Sequence, residues 1–336
     1  MSTPSDTASP ALTAIDSGVY FYDYRQPSKN QRDEIVSGLK QTPKRLPCKY
    51  FYDDTGLALQ QQREAQPDYY LDRIERMLLA KHREQLIAEA GDLSVLIEYG
   101  SGGHEKTHLV LETIRPKAYV PMDLSKDRLY DCAIALRQAF PTLEIHATCL
   151  DYRQPARLPQ RINPLAKRIA FCPNSNLGHF TPEDALTFLQ GVRNTVGDDG
   201  ALLIGLDLEK DSAQLTRAYD DGAGLSARLN LNILHHINQL GSGTFNPDHF
   251  QHRAFYNEQE QRVEMQLVSE LDQVASVFGE RIFLKNGETI TTELAYKFRP
   301  DQFLYDVRKA GFLAKHFWTD DEQQVGVFWL EAHQLP

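Results

Sequence analysis

The chain has 336 residues, enough for one large domain or two ordinary ones, and its 41% hydrophobic and 24% charged residues are those of a globular protein. Its 36 basic residues stand against 46 acidic ones, a net charge of −10 with no basic stripe to reverse it, so phosphate backbones are repelled and nucleic acid is excluded as an expected partner. No apolar run approaches the roughly 20 residues needed to span a bilayer, so no membrane association is expected.

Met1 to Ala14 is rich in Ser, Thr and Pro, carries no basic-then-apolar signal pattern, and reads as part of a disordered lead-in over residues 1–16. Cysteines at 48, 132, 149 and 172 have no C-x-x-C spacing; free thiols in a reducing cytosol are expected, and no metal site. Glu75 to Ala90 reads as one helix with Met77, Leu78, Leu79, Leu86 and Ile87 on its apolar side. Strand and helix patterns then alternate. Val95–Ile97, Ala118–Met122, Leu143–Ala147, Arg168–Phe171 and Ala201–Leu206 read as strands, with helices over Lys106–Ile114, Arg128–Phe140 and Pro182–Val196. That alternation predicts an α/β fold with a parallel sheet and right-handed crossovers. Beyond Leu208 the rhythm is lost. Ala213 to Gln239 is mostly helical with interruptions at Gly222 and Gly224, and Arg262–Leu267 and Arg281–Leu284 look like strands. Phe303–Ala310 is again helical, and Phe312–Trp318 with Val325–Leu330 predicts a hairpin closing the sheet edge. The expected division is a substrate-binding α+β domain from residues 17–72 and 210–298, and a Rossmann-like domain from 73–209 and 299–336.

The strongest chemical signal is Glu98-Tyr99-Gly100-Ser101-Gly102-Gly103, between a strand and a helix. Glycines let a backbone approach a ligand, and a helix start offers unpaired N–H groups. Asp123 ends the second strand, where a carboxylate can accept both ribose hydroxyls of a nucleoside. Asp151, with Tyr152 beside it, follows the third strand, near the expected place of an adenine amine. Each acid alone also reads as a solvated residue at a loop start. The ordered set fits S-adenosylmethionine better than a dinucleotide, which prefers G-x-G-x-x-G. His235-His236 imitates a metal pair, but adjacent helical residues point to different faces.

Several longer blocks occur in order: Tyr50-Phe51-Tyr52-Asp53-Asp54-Thr55-Gly56, Pro67-Asp68-Tyr69-Tyr70, the Gly-rich turn with Glu105-Lys106-Thr107, and Ala218-Tyr219-Asp220-Asp221. Leu229-Asn230-Leu231-Asn232, His252-Arg253-Ala254, Val263-Glu264-Met265, Gly287-Glu288-Thr289-Ile290 and Thr292-Glu293 follow. From about Tyr50 to Phe312 the chain resembles the histidine-specific, S-adenosylmethionine-dependent α-N-methyltransferases of ergothioneine biosynthesis. The resemblance implies a class I methyltransferase domain joined to a substrate domain, in a cytoplasmic enzyme expected to be a monomer. It also implies roles for individual residues: Tyr52 contacts the substrate amine, Tyr69 lines the side-chain pocket, Tyr219 holds the carboxylate, and Glu293 hydrogen-bonds the imidazole. Met265 is expected in the pocket wall. Glu98, Gly100, Ser101, Gly102, Lys106, Asp123, Asp151 and Tyr152 fall to the cofactor side. Tyr52 is the candidate catalytic residue, orienting the amine and accepting its proton by way of water.

Two positions depart from the family pattern. His179, in Asn174-Ser175-Asn176-Leu177-Gly178-His179-Phe180, replaces an asparagine that helps grip the amino-acid backbone. Ala295 replaces a serine two residues after the acid, removing one imidazole contact of ~1–3 kcal/mol. The expected activity is methylation of the α-amine of a free amino acid, histidine first, with the trimethylated betaine as the furthest product. The same chemistry on another aromatic or modified amino acid, and a non-catalytic sensor of S-adenosylmethionine or an amino acid, remain as alternatives.

Overall fold

The runs Ser94–Tyr99 (β4) and Ala201–Asp207 (β8) are buried at every position, as strands covered on both faces must be. The computed structural model describes residues 11–16, 18–24, 29–100, 105–152 and 158–333. In chain order, β1 (Ala11–Asp16), β2 (Val19–Asp23), α1 (Lys29–Lys40), β3 (Lys44–Arg45) and α2 (Asp54–Glu64) lead to α3 (Leu71–Lys81) and α4 (Arg83–Ala90). After β4 come α5 (Glu105–Ile114), β5 (Ala118–Asp123), α6 (Lys126–Ala139), β6 (Glu144–Cys149), β7 (Lys167–Cys172), α7 (Pro182–Val196) and β8. Then follow α8 (Ser212–Arg217), α9 (Leu225–Gly241), β9 (Phe250–Asn257), β10 (Arg262–Ser269), β11 (Gln273–Val277), β12 (Glu280–Leu284) and β13 (Thr289–Tyr296). The chain closes with α10 (Pro300–Lys309), β14 (Phe312–Thr319) and β15 (Val325–Ala332).

A nine-stranded sheet has the order β1-β2-β6-β5-β4-β7-β8-β15-β14. From β2 to β8 all neighbours are parallel, and the hairpin β14–β15 closes one edge antiparallel to β8, as the sequence predicts. The chain steps outward from β4 through β5 to β6, then returns to the other side of β4 with β7. The strand order therefore reverses at β4, and ligands of such sheets bind at that reversal, beyond the carboxyl ends of the strands. A second sheet, β3-β13-β10-β9, is antiparallel except for the β3–β13 pair. Helix α9 buries Leu229, Ile233, Leu234 and Ile237, and packs on α2, β9 and β10.

Some expectations fail. Residues 11–16, read as disordered lead-in, form a strand paired with β2; residues 1–10 lie outside the described residues. Val19–Asp23, placed by sequence with the substrate domain, adds to the large sheet because it covers the open edge of β6. The single helix over Glu75–Ala90 is two helices, broken at His82 (φ −106°, ψ 24°), whose ring stacks on Trp318 with centroids 4.9 Å apart. Met77 and Ile87, assigned to its apolar face, are exposed. Strands β9 and β13 were not read from the sequence. β9 alternates around exposed Gln251 and Arg253, and β13 carries a bulge: Glu293 faces Met265 and Thr291 faces the next residue, Gln266, so Thr292 has no opposite number.

Candidate active site

Gly100 follows β4 at φ +84°, in the left-handed region that favours glycine. A Cβ there would lie 2.7 Å from Asn176 Nδ2 and 3.3 Å from the Tyr152 hydroxyl, so only a glycine lets these groups close in. Asn176 itself donates to Tyr99 O at 3.2 Å. Asp123 closes β5, and its Oδ1 accepts the Ser125 N–H at 2.9 Å, which holds the carboxylate at the strand end. Asp151 and Tyr152 follow β6, and the Tyr152 ring meets that of Tyr99 edge-on at 6.1 Å. Gly100, Asp123, Asp151 and Tyr152 thus gather at the carboxyl ends of β4, β5 and β6, as a nucleoside cofactor requires. Ser101 and Gly102 lie outside the described residues.

Two other candidates from the cofactor set are buried. Glu98 is 0% exposed; its oxygens accept from Thr107 Oγ1 at 2.9 and 3.0 Å and from the Tyr119 hydroxyl at 2.5 Å. Lys106 is held between Glu75, at 2.6 Å, and Asp72, at 3.1 Å, and also donates to Asn174. Both brace the sheet end through protein partners. Burial pushes Glu98 up to about 7 against the opposing bonds from Tyr119 and Thr107. An acid whose folded value is raised costs stability as the unfolded chain ionises first. Stability is therefore expected to fall between about pH 4.5 and pH 7, and Glu98→Gln to flatten that fall. Urea midpoints across this range test it; parallel curves for the two proteins would refute the assignment.

The second cluster comes from distant segments. Asp53 caps α2, its Oδ1 accepting Gly56 N–H at 2.7 Å and Asn232 Nδ2 at 2.7 Å, which fastens α2 to α9. That fixes Tyr52 just ahead of α2 and Arg63 near its end. Tyr69 stands with its ring centroid 4.6 Å from the Arg63 guanidinium, and Tyr219, beyond α8, at 5.6 Å. The Tyr219 hydroxyl accepts from Lys297 Nζ at 2.9 Å. Glu293, 5% exposed, extends from β13 opposite Met265, which is fully buried and forms wall rather than contact surface. Next to Glu293, the bulged Thr292 donates to Asn230 Oδ1 at 2.6 Å and to Met265 O at 3.1 Å, which fixes the acid's direction. Ala295 is buried opposite Val263. His179 ends a one-turn helix, Asn176–His179; Gly178 lets that turn press on β13, since a Cβ there would lie 2.9 Å from Tyr296 O. Its Nδ1 lies 3.6 Å from Glu293 Oε1.

Charge and burial act together here. Burial, then the Glu293 charge, hold the phenols of Tyr52 and Tyr219 well above their usual range. Burial opposes charge on His179, but the Cys48 sulfur and the Glu293 carboxylate outweigh it and raise the imidazole to about 9. The structure thus joins Tyr52, Tyr69, His179, Tyr219 and Glu293 in one buried polar cluster. It also adds Arg63 and Cys48 to this cluster, and Asn176 beside Gly100, none of which sequence reasoning singled out. Arg63 had one legible signal: with Gln60 it repeats at a spacing of three on the helix face that also buries Leu59.

The four cysteines form no disulfide, and no cluster able to hold a metal ion occurs among the described residues. No helix among them is long and apolar enough to cross a membrane. Residues 31–332 match the family model described as histidine-specific methyltransferase, SAM-dependent. A histidine N-alpha-methyltransferase of Mycolicibacterium smegmatis is 35% identical over 304 residues, covering 88% of this chain and 93% of that one. One of Mycobacterium tuberculosis is 34% identical over 303 residues, with the same coverage of 88% and 93%. An N-methyltransferase of Aspergillus flavus is 26% identical over 304 residues, 87% of this chain and 82% of that one. With the sheet reversal at β4, the strand-end acids and these matches in hand, the chain belongs to the histidine-specific, S-adenosylmethionine-dependent methyltransferase family.

Proposed function

We propose that this protein methylates the α-amine of free histidine. The observation that supports it most is Glu293, a buried carboxylate whose ion pair with His179, at 3.6 Å, is longer than a hydrogen bond. It keeps capacity to accept an N–H, and an imidazole presents one. S-adenosylmethionine, when bound, supplies an electrophilic methyl group on a sulfonium. The cradle at Gly100, which a Cβ would fill, and the acids Asp123 and Asp151 fit its nucleoside, and those residues with Tyr152 would hold it.

The residues of the second cluster bind and align the acceptor. The α-amine of a free amino acid sits beside its own carboxylate and titrates above the value near 8 of a chain terminus, so it arrives as the ammonium and must lose a proton before it can attack. Tyr52, with its phenol held protonated by burial and by Glu293, acts as a hydrogen-bond partner that orients the amine rather than as a phenolate base. Tyr69 and Tyr219 exclude water and set the position of the amino-acid backbone, and alignment supplies most of the rate.

Incubation of the purified protein with S-adenosylmethionine and the twenty amino acids, followed by mass spectrometry, is expected to show methyl increments on histidine. A second reading, transfer to a different amino acid, is favoured by one feature: His179 already sets its own imidazole beside Glu293. Increments on another amino acid and none on histidine would establish that reading. No increment on any would refute both.

A further inference from the structure

Arg63 is 2% exposed, yet its Nε and Nη1 have no hydrogen-bond partner among the described residues. Gln60, one turn earlier on the same face of α2, is 9% exposed and likewise leaves its Oε1 unpartnered, while its Nε2 donates to Glu64. Buried arginines are almost always paired, because a guanidinium stripped of water and left without acceptors is costly. An unpaired buried group of this kind calls for an explanation, and a ligand that completes its bonds is one that the surroundings can test. The surroundings of Arg63 identify that ligand. The rings of Tyr69 and Tyr219 flank the guanidinium; burial opposes its charge, and the Glu293 carboxylate, within electrostatic reach together with Tyr52, favours it. The unpartnered donors therefore belong to the polar cluster that contains Tyr52 and Glu293.

We infer that Arg63 receives the carboxylate of the amino-acid substrate. The inference rests on the amino-acid reading given above. A free amino acid such as histidine brings one anion, its α-carboxylate, and that anion is repelled by Glu293. A planar guanidinium with open donors matches a carboxylate in both charge and shape. With Arg63 on the carboxylate and Glu293 on the side chain, the two ends of the substrate are read by opposite charges, and the amine between them is left to Tyr52.

The test compares L-histidine with L-histidinamide, which keeps the amine and the imidazole and loses the anion. Initial rates of S-adenosylhomocysteine formation are measured for the wild-type protein, Arg63→Gln and Arg63→Lys. Wild type is expected to prefer the acid by roughly 10- to 100-fold in kcat/KM, the size of a charge-assisted hydrogen bond. Arg63→Gln is expected to lose most of that preference by weakening histidine alone, and Arg63→Lys to retain part of it. Equal losses on acid and amide in a variant with unchanged circular dichroism would overturn the proposal in favour of a structural role. Unchanged kinetics on both would also overturn it. If wild type methylates some other amino acid, the histidine reading fails by itself, and the acid-against-amide comparison on that amino acid decides the role of Arg63.

Discussion

Glu293→Gln is expected to lower kcat/KM for histidine by roughly 10²- to 10³-fold. The carboxylate lies buried on β13, aimed by the bulge at Thr292 and bordered by Met265. A hydrogen bond to a charged acceptor contributes about 1.5–3 kcal/mol. The glutamine also strips His179 of a counter-charge that helps raise its imidazole to about 9. The two losses together come to ~3–4 kcal/mol, and each 1.36 kcal/mol is a factor of ten. Calorimetry with S-adenosylhomocysteine should give an unchanged affinity, because Glu293 belongs to the acceptor cluster. The His179–Glu293 pair also predicts a pH dependence. A raised imidazole stabilises the fold fully below its unfolded value near 6.5, and the gain is lost as pH rises through about 9. Thermal unfolding of Glu293→Gln should show a weaker alkaline decline than wild type. A change in kcat/KM of less than threefold would remove Glu293 from the substrate site.

The large sheet was legible because its central strands are covered on both faces and so appear as short apolar runs between helices. The same order locates the reversal at β4, and with it Gly100, Asp123 and Asp151. The small sheet was less legible for a physical reason. β9 shows polar residues to solvent, and Thr292 breaks the period of two in β13 at the very residue that orients Glu293. The tyrosines come from before α2, after α2 and after α8; nothing local in those segments says that they meet, and only the resemblance foretold it. Arg63 was passed over because a charged residue on a helix is by default read as solvent-facing. Glu98 and Lys106 were assigned to the cofactor from their place beside the Gly-rich turn, and their partners within the protein are Thr107, Tyr119, Asp72 and Glu75, which sequence reading did not foretell.

The largest stability effect is expected at Asp207, which no reading of the sequence singled out beyond its place at a strand end. It is 2% exposed where β8 ends. Its Oδ2 accepts from Lys297 Nζ at 2.7 Å, and its Oδ1 from the Tyr70 hydroxyl at 2.8 Å and from Lys210 Nζ at 2.5 Å. Its backbone accepts Phe298 N–H and donates to Ser175 Oγ, so the turn before His179 and the exit of β13 both converge on it. Burial opposes the charge of Asp207, and the two lysines overcome that and hold the carboxyl below its usual range. Asp207→Asn leaves two buried ammonium groups facing a neutral amide, and removing one partner of a buried ion pair costs about 3–5 kcal/mol. Urea unfolding should show that loss at pH 7. A carboxyl with a lowered folded value gives stability that is present above its unfolded value near 3.9 and disappears as pH falls through the folded one. The gap between wild type and Asp207→Asn should therefore close in acid. Adding Lys297→Met should restore part of the loss, since the double variant has one uncompensated cation fewer. Activity should fall with stability, for Lys297 also donates to the Tyr219 hydroxyl at 2.9 Å, and an ammonium without its carboxylate no longer fixes that ring. KM for histidine should then rise at temperatures where the variant is still folded. An unfolding midpoint equal to that of wild type would show that Asp207 does not tie the two sheets together, and that Tyr219 is positioned by packing alone.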